Sequence, residues 1–344
     1  MRLGIIGLPR AGKSTIFEAL TKSKADAARK GEDRIATVRV PDRRVDVLSS
    51  MYQPQKTIYA QVEYFLPGAV SHPTADSKDQ KIWTAVRDCD ALIHVVRNHA
   101  GFGFEETTPE HDFIQLDQEL MLADLVVVEK RLERLELDHK RGKPLNPEEH
   151  ALLLQCRQNL ENETPLRRTP EVASAPLLRG FAFLTAKPQL VLFNNADDDE
   201  HLPEATALAA REDCMVIRGK LEQELAQMNG EEVADFLVEF NIAASAMDRV
   251  IQRSYALLGL ISFFTLGEDE IRAWTITKGT PAVEAAGVVH TDMQRGFIRA
   301  EVVSFDDLTD AGSHATARKK GTVRLEGKTY EVQDGDIINF RFNV

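Results

Sequence analysis

Apolar and polar positions follow two rhythms along this chain, and the first change between them comes at its start. Leu3, Ile5 and Ile6 form a near-continuous apolar run, Gly7 to Gly12 interrupts it, and Ile16, Phe17, Ala19 and Leu20 then recur at helical spacing. This predicts a strand, a loop and a helix. The same reading predicts strands at Val38–Val40, Ile58–Leu66, Ala91–Val96, Pro188–Phe193 and Cys214–Ile217, the second closed by Pro67-Gly68. Helices are expected at Arg43–Met51, Lys81–Arg87, Leu116–Leu137 and Glu148–Leu160, and from Arg218 onward. Strands that alternate with helices describe a doubly wound α/β sheet whose site lies at the carboxyl ends of the strands. Polar loops are expected around residues 21–36 and from Ser71 to Asp79.

Two stretches depart from that alternation. In Leu116–Leu137, Leu125, Val128, Leu132 and Leu135 share one face while charged residues crowd the others, and Leu153, Cys156 and Leu160 line the next helix. The turn Gly142–Pro147 between them predicts an antiparallel helical hairpin, read as an insertion that projects from the α/β sheet domain. Beyond about residue 260 short strands take over. Arg272–Thr277, Gly296–Val303, Gly321–Leu325, Tyr330–Val332 and Ile337–Phe342 are strand candidates, with turns at Glu326–Lys328 and Asp334–Asp336 and a short helix at Pro281–Ala286. No nucleophile, base and acid cluster there, so this tail reads as a recognition module.

Composition adds limits. The 344 residues are 43% apolar and 28% charged, enough for two or three domains, with no apolar run as long as a membrane span and no secretion-signal pattern. The expected location is the cytoplasm, with no membrane partner. Cys89, Cys156 and Cys214 lack metal-type spacing and read as reduced thiols. A net charge of -12 restricts nucleic-acid contact to local patches, for which Arg29-Lys30, Arg39 with Arg43-Arg44, Arg167-Arg168 and Arg318-Lys319-Lys320 are candidates.

The chemistry sits in the first loop. Gly7-Leu-Pro9-Arg10-Ala11-Gly12-Lys13-Ser14-Thr15 is Gly-x-x-x-x-Gly-Lys-Ser between a strand and a helix, the arrangement of a phosphate-binding P-loop. Glycines let successive N–H groups face phosphate oxygens, and the helix adds the positive end of its dipole. Lys13 is expected at the β and γ phosphates, and the Ser14 hydroxyl on Mg2+. At the end of a later strand, Asn194-Asn195-Ala196-Asp197 has the Asn-x-x-Asp form that reads a purine base, because a carboxylate accepts guanine N1–H and N2–H; Asn194 and backbone groups can instead serve the adenine N6 amine. The lysine common at the second position of such motifs is absent. His94, inside a buried strand, reads as a packed residue.

Taken together, the chain resembles the YchF subfamily of Obg-related P-loop GTPases and ATPases over essentially its whole length. The resemblance rests on Gly7–Thr15, Asp90–Arg97, Ala123–Leu135, Arg272–Ile276, Gly287–Asp292, Gly296–Glu301 and Val332–Phe342. It implies an α/β fold with a P-loop NTPase parallel sheet, a helical-hairpin insertion and a C-terminal β-grasp (TGS, ubiquitin-like) domain. The expected domains are residues 1–115 with 186–258 for nucleotide, 116–168 for a helical coiled-coil arm, and 261–344 for the TGS-like module. It further implies Mg2+ with ATP or GTP, association with ribosome or RNA, and base-pocket roles for Gly219 and Lys220 beside Asn194 and Asp197. Departures from the family pattern matter. Leu66 stands where the family has its Mg2+-linked Asp, Ala28–Arg34 lacks the switch threonine, and Arg218-Gly-Lys-Leu-Glu222 replaces Ser-Ala-Lys-Leu-Glu. Phosphate cradling is therefore expected to persist while hydrolysis is slow or absent. A hydrolase, a non-hydrolysing adaptor and a P-loop small-molecule kinase all stay open, and the sequence does not read the oligomeric state.

Overall fold

A computed structural model describes residues 1–23, 31–68, 79–100, 107–203, 206–229, 232–233, 236, 245–267 and 269–343. Residues 24–30 of the loop expected at 21–36, with Arg29-Lys30, and residues 71–78 of the expected loop from Ser71 to Asp79 lie outside them. In chain order the elements are β1 (Arg2–Ile6), α1 (Lys13–Thr21), β2 (Arg34–Arg39), α2 (Arg43–Tyr52), β3 (Lys56–Ile58), β4 (Gln61–Leu66), α3 (Asp79–Arg87) and β5 (Ala91–Asn98). There follow α4 (Pro109–Lys140), α5 (Pro147–Glu161), α6 (Pro170–Ala173), β6 (Gln189–Asn195), α7 (Thr206–Ala209), β7 (Asp213–Ile217) and α8 (Gly219–Leu225). The tail holds β8 (Leu260–Leu266), β9 (Glu270–Thr277), β10 (Phe297–Ser304), β11 (Arg324–Glu326) and β12 (Asp336–Phe342), with further helices named below by their residues. These residues fall into two compact units, one of Met1–Ala36 with Glu63–Met247, the other of Thr37–Val62 with Asp248–Val344.

The first unit is built on a sheet of order β2-β4-β1-β5-β6-β7. The pairs β1–β4, β1–β5, β5–β6 and β6–β7 are parallel. Parallel strands covered on both faces read as continuous apolar runs, which is why Leu3, Ile5, Ile93, Val95, Leu190 and Leu192 are fully buried. β1 has β4 on one side and β5 on the other, so the loop after β1 opens at a topological switch point. The helical hairpin belongs to this unit. α4 begins at Pro109, a turn or two before the apolar stripe announced it, because proline suits the first helical position. Asn146 starts α5 by accepting the N–H groups of Glu148 and Glu149. Val128, Leu132 and Leu135 pack on Leu153, Cys156 and Leu160, and Arg131 pairs with Glu149 at 2.7 Å.

Buried charge fixes α4 to the rest of its unit. The Asp124 carboxylate, fully enclosed, accepts the N–H groups of Leu184 and Thr185, the Thr185 hydroxyl and the Arg87 guanidinium. Arg167 makes a bidentate pair with Asp117 at 2.9 and 3.0 Å and a second with Glu212, which also takes Arg168 at 2.8 Å. The Arg167-Arg168 patch expected as a nucleic-acid contact is thus corrected for Arg167. Its side chain is 9% exposed and its guanidinium is spent on two carboxylates, because the chain brings Asp117 and Glu212 to it from distant elements.

The second unit has a sheet of order β11-β10-β12-β8-β9-β3. β10 runs antiparallel to β11 and β12, β8 antiparallel to β9, and β12 parallel to β8. The helix Ala282–Val289 supplies Ala282, Ala285 and Ala286 to a core with Phe263, Phe297, Ala300, Val302, Ile338 and Phe340, the layout of a β-grasp. Several elements here differ from the sequence reading. The strand expected at Ile58–Leu66 is two strands, and β3 pairs with β9, which is why 37–62 groups with this unit. β8 and the helices Thr291–Arg295, Phe305–Ala311 and His314–Lys320 went unanticipated. Tyr330–Val332 forms only an isolated bridge, Pro281 to Glu331. Arg44, part of another basic candidate, pairs with Asp42 and Asp334. Arg318 and Arg341 converge on the buried carboxylate of Glu301.

Candidate functional site

The loop between β1 and α1 is shaped by the space its glycines leave free. A Cβ on Gly7 would collide with the Val95 carbonyl, and one on Gly12 with the Asn194 amide; Gly12 also holds the left-handed φ of 96° that starts α1. Arg10 is left-handed as well, at φ 66°. Ala11 is buried, while Pro9, Arg10 and Ser14 are exposed and Lys13 and Thr15 half-buried. The first turn of α1 has no acidic residue and no side-chain cap, so the N–H groups of Lys13, Ser14 and Thr15 stay available to an anion. The Lys13 ammonium is folded back on the loop, donating to the Gly7 and Leu8 carbonyls at 2.6 and 2.9 Å, and burial pulls its pKa down to about 8. This cradle, with one lysine and a run of free amides, fits the phosphates of a nucleotide. The exposed Ser14 hydroxyl suits Mg2+. No group of three or more acidic, His or Cys side chains that could hold a metal lies among the described residues, so an ion there would depend on Ser14, phosphate oxygens and water.

At the end of β6, Asn194 ties two backbone segments together. Only 4% exposed, it donates through Nδ2 to the Ala11 carbonyl at 3.0 Å and accepts through Oδ1 from the Gly219 N–H at 2.9 Å. It therefore clamps the phosphate loop to the turn that follows β7. Gly219 is required at that turn, since a Cβ would stand 2.6 Å from Asn194 Oδ1 and 2.9 Å from Ile16 Cδ1. Asn195 also points inward, to Asp199, His201 and Asn98. Asp197 and Lys220 are exposed at the lip. Arg218 opens the stretch whose departure from the family pattern the sequence reading set against the base pocket, without a contact of its own. Its guanidinium pairs with Glu200 at 2.8 Å and reaches the Asp197 carbonyl at 3.5 Å, and its position just before Gly219-Lys220 was the available signal.

The opposite lip lies at the end of β4. Leu66 is buried in the core, and Gly68 N–H donates to Asp33 Oδ1 at 2.8 Å. A Cβ on Gly68 would press on the backbone of Gly31 and Glu32. Of the carboxylates near the missing aspartate, Glu63 is occupied by Arg2, whereas Asp33 stands exposed against Gly68. His94 stacks on Phe113 with ring centroids 4.9 Å apart and shares a hydrogen bond of 2.9 Å with Gln189. Burial, then the charges of Arg167 and Lys13, hold its pKa down to about 3, so at neutral pH it is an uncharged packed residue.

Residues 2–131 match the family model MMR_HSR1, described as 50S ribosome-binding GTPase, and residues 260–343 match YchF-GTPase_C, described as a protein of unknown function (DUF933). The chain is 37% identical to the ribosome-binding ATPase YchF of Bacillus subtilis, with 99% of each chain covered. It is 35% identical to Obg-like ATPase 1 of rice (Oryza sativa), covering all of this chain and 92% of that one. Among solved structures, the YchF GTPase of Schizosaccharomyces pombe superposes with a TM-score of 0.85 at 29% identity, covering 99% of this chain and 97% of that chain.

Proposed function

The chain belongs to the YchF family, and from that premise we propose that it is a cytoplasmic, ribosome-associated P-loop protein that binds ATP or GTP with Mg2+ and turns it over very slowly. The observation that carries the reading is the pairing of an intact phosphate cradle with a dismantled metal shell. Lys13 and the free amides of α1 need no switch to bind phosphate. The position that would place a carboxylate beside Mg2+ is the buried, apolar Leu66. Ser14 offers its hydroxyl to the ion, and the bound ion offsets phosphate charge. Losing a preorganised charge of this kind costs on the order of a hundredfold or more in rate, while binding survives.

In this reading the second unit serves as the TGS-like recognition module and the α4–α5 hairpin as a coiled-coil arm. No helix among the described residues is long and apolar enough to cross a membrane. An active hydrolase is the second reading, favoured by the exposed Asp33 carboxylate at Gly68, close to where the aspartate is missing.

Titration of ATP, GTP and their hydrolysis-resistant analogues, with and without Mg2+, tests binding. Single-turnover hydrolysis, with Lys13→Ala as the blank, separates the two readings. Turnover matching ordinary ribosome-associated NTPases, and abolished in the blank, would establish the active enzyme. Co-sedimentation with ribosomes over a salt series tests the partner. Charge reversal at Arg318-Lys319-Lys320 should weaken it and flatten its salt dependence if that cluster touches RNA.

A further inference from the structure

The second unit carries a cationic sheet face that its core does not use. Along β10, Ala300 and Val302 point into the helix-covered core, so Arg299, Glu301 and Val303 turn to the other side. On β12 the residues opposite them are Arg341, Asn339 and Ile337, and on β11 Leu325 stands opposite Glu301. One end of this face is closed, with Val303 and Ile337 buried. The other end is open: Arg299, Asn339 and Arg341 are exposed there, and so is Leu325, at 59%.

Arg299 and Arg341 are direct partners in the antiparallel register, a placement that destabilises a strand pair when no anion lies between the two charges. The buried Glu301 carboxylate answers part of that charge. It accepts from Nη2 of Arg341 at 2.7 Å and from Nη2 of Arg318, on the helix His314–Lys320, and His314 of the same helix lies 3.9 Å away. Those bonds orient two guanidiniums whose side chains stay 51% and 60% exposed. Arg299 has no hydrogen-bond or ion-pair partner among the described residues. Three arginines thus face solvent around one buried carboxylate, in a chain whose net charge is -12. A guanidinium with free N–H groups takes a carboxylate or a phosphate in a two-pronged bond. The surroundings favour the carboxylate. No Phe, Tyr or Trp lies on this face of β10, β11 or β12 for a base to stack on, and the exposed Leu325 suits an apolar side chain instead.

We propose that this open end, built by Arg299, Arg318, Arg341 and Leu325, docks an acidic segment of a partner protein, with its carboxylates forked by the arginines and an apolar side chain set on Leu325. The proposal rests on the recognition role read above for the second unit and gives it a surface and a ligand class. It asks nothing of the phosphate loop, so its failure leaves the nucleotide-binding reading intact.

The test is fluorescence polarisation of the full chain with labelled Gly-Glu-Glu-Leu-Glu-Glu-Gly, with the same peptide carrying Lys for Glu, and with labelled polyuridylate, over a salt series. The parent should bind the acidic peptide, lose it as salt rises and ignore the lysine peptide. Arg299→Glu and Arg341→Glu should each weaken the acidic peptide about tenfold or more, while Arg211→Glu, at an exposed position of the first unit, should change it less than about twofold. Arg341→Glu also removes a partner of Glu301, whereas Arg299→Glu gives up no contact among the described residues and so separates docking from folding. A parent that does not bind the acidic peptide overturns the proposal, as does an Arg299→Glu variant that binds it as tightly as the parent. Polyuridylate that binds more tightly than the peptide, and is lost in the same two variants, overturns it too and makes this a nucleic-acid surface.

Discussion

Replacing Asn194 by alanine should loosen the first unit and uncouple its two nucleotide-binding edges. The side chain is 4% exposed and satisfies two backbone groups, the Ala11 carbonyl and the Gly219 N–H, at 3.0 and 2.9 Å. Alanine leaves both without a partner. A buried polar group stripped of its hydrogen bond costs about 1–3 kcal/mol, so the pair sums to about 2–6 kcal/mol. Arg10 and Ser14 of the same loop are exposed, so partial rehydration of the loop places the expected loss in the lower half, about 2–4 kcal/mol. For a unit of this size each kcal/mol lowers Tm by about 2–4 °C, hence a fall of roughly 5–15 °C by calorimetry. Asn194→Asp should fall further, since a carboxylate still accepts from Gly219 but repels the Ala11 carbonyl. Triphosphate affinity should drop about tenfold or more in both variants, because the loop and the base edge no longer hold one geometry. A melting point within about 2 °C of the parent, together with unchanged affinity, would refute the clamp.

Three further outcomes follow from the buried charges. The Lys13 pKa near 8 means that the ammonium is partly neutral at mildly alkaline pH, and a bound phosphate would restore the proton. Binding should therefore take up a proton, and affinity should fall as pH rises through about 8; Lys13→Ala should bind no nucleotide at any pH while melting as a folded protein, and titrations in buffers of different ionisation enthalpy measure the uptake. For His94, whose folded pKa of about 3 lies below its ordinary value of 6.5, the unfolded chain takes the proton first, so stability is full above 6.5 and is lost as pH falls toward 3. The added slope should reach at most about 1.4 kcal/mol per pH unit in denaturant titrations, and His94→Gln should lack it. Arg167→Met strands the Asp117 carboxylate, leaves Glu212 to Arg168 alone and should cost about 3–5 kcal/mol, whereas a loss below about 1 kcal/mol would show the network to be solvated.

What the sequence determined by itself was whatever depends on near neighbours. The β1-loop-α1 unit follows from an apolar run, two glycines and a helical stripe within about twenty residues, and backbone sterics allow few alternatives there. The hairpin was legible for the same reason, from a stripe of leucines and a Gly/Pro turn. The family resemblance was legible because its motifs are short and contiguous, and the YchF relatives match over the full chain. Tertiary structure decided which groups meet. Ala11 and Asn194 are 183 residues apart, and only the sheet order, with β5 between β1 and β6, makes this asparagine a clamp on the phosphate loop. Arg167 looked like a surface cation until folding set Asp117 and Glu212 against it, 50 and 45 residues away. The run from Ile58 to Leu66 has one apolar pattern but splits between two sheets, because β9 supplies an edge for β3 and β1 supplies one for β4. Local pattern sets what a segment can become; the pairing energy that chooses its neighbour comes from strands far along the chain.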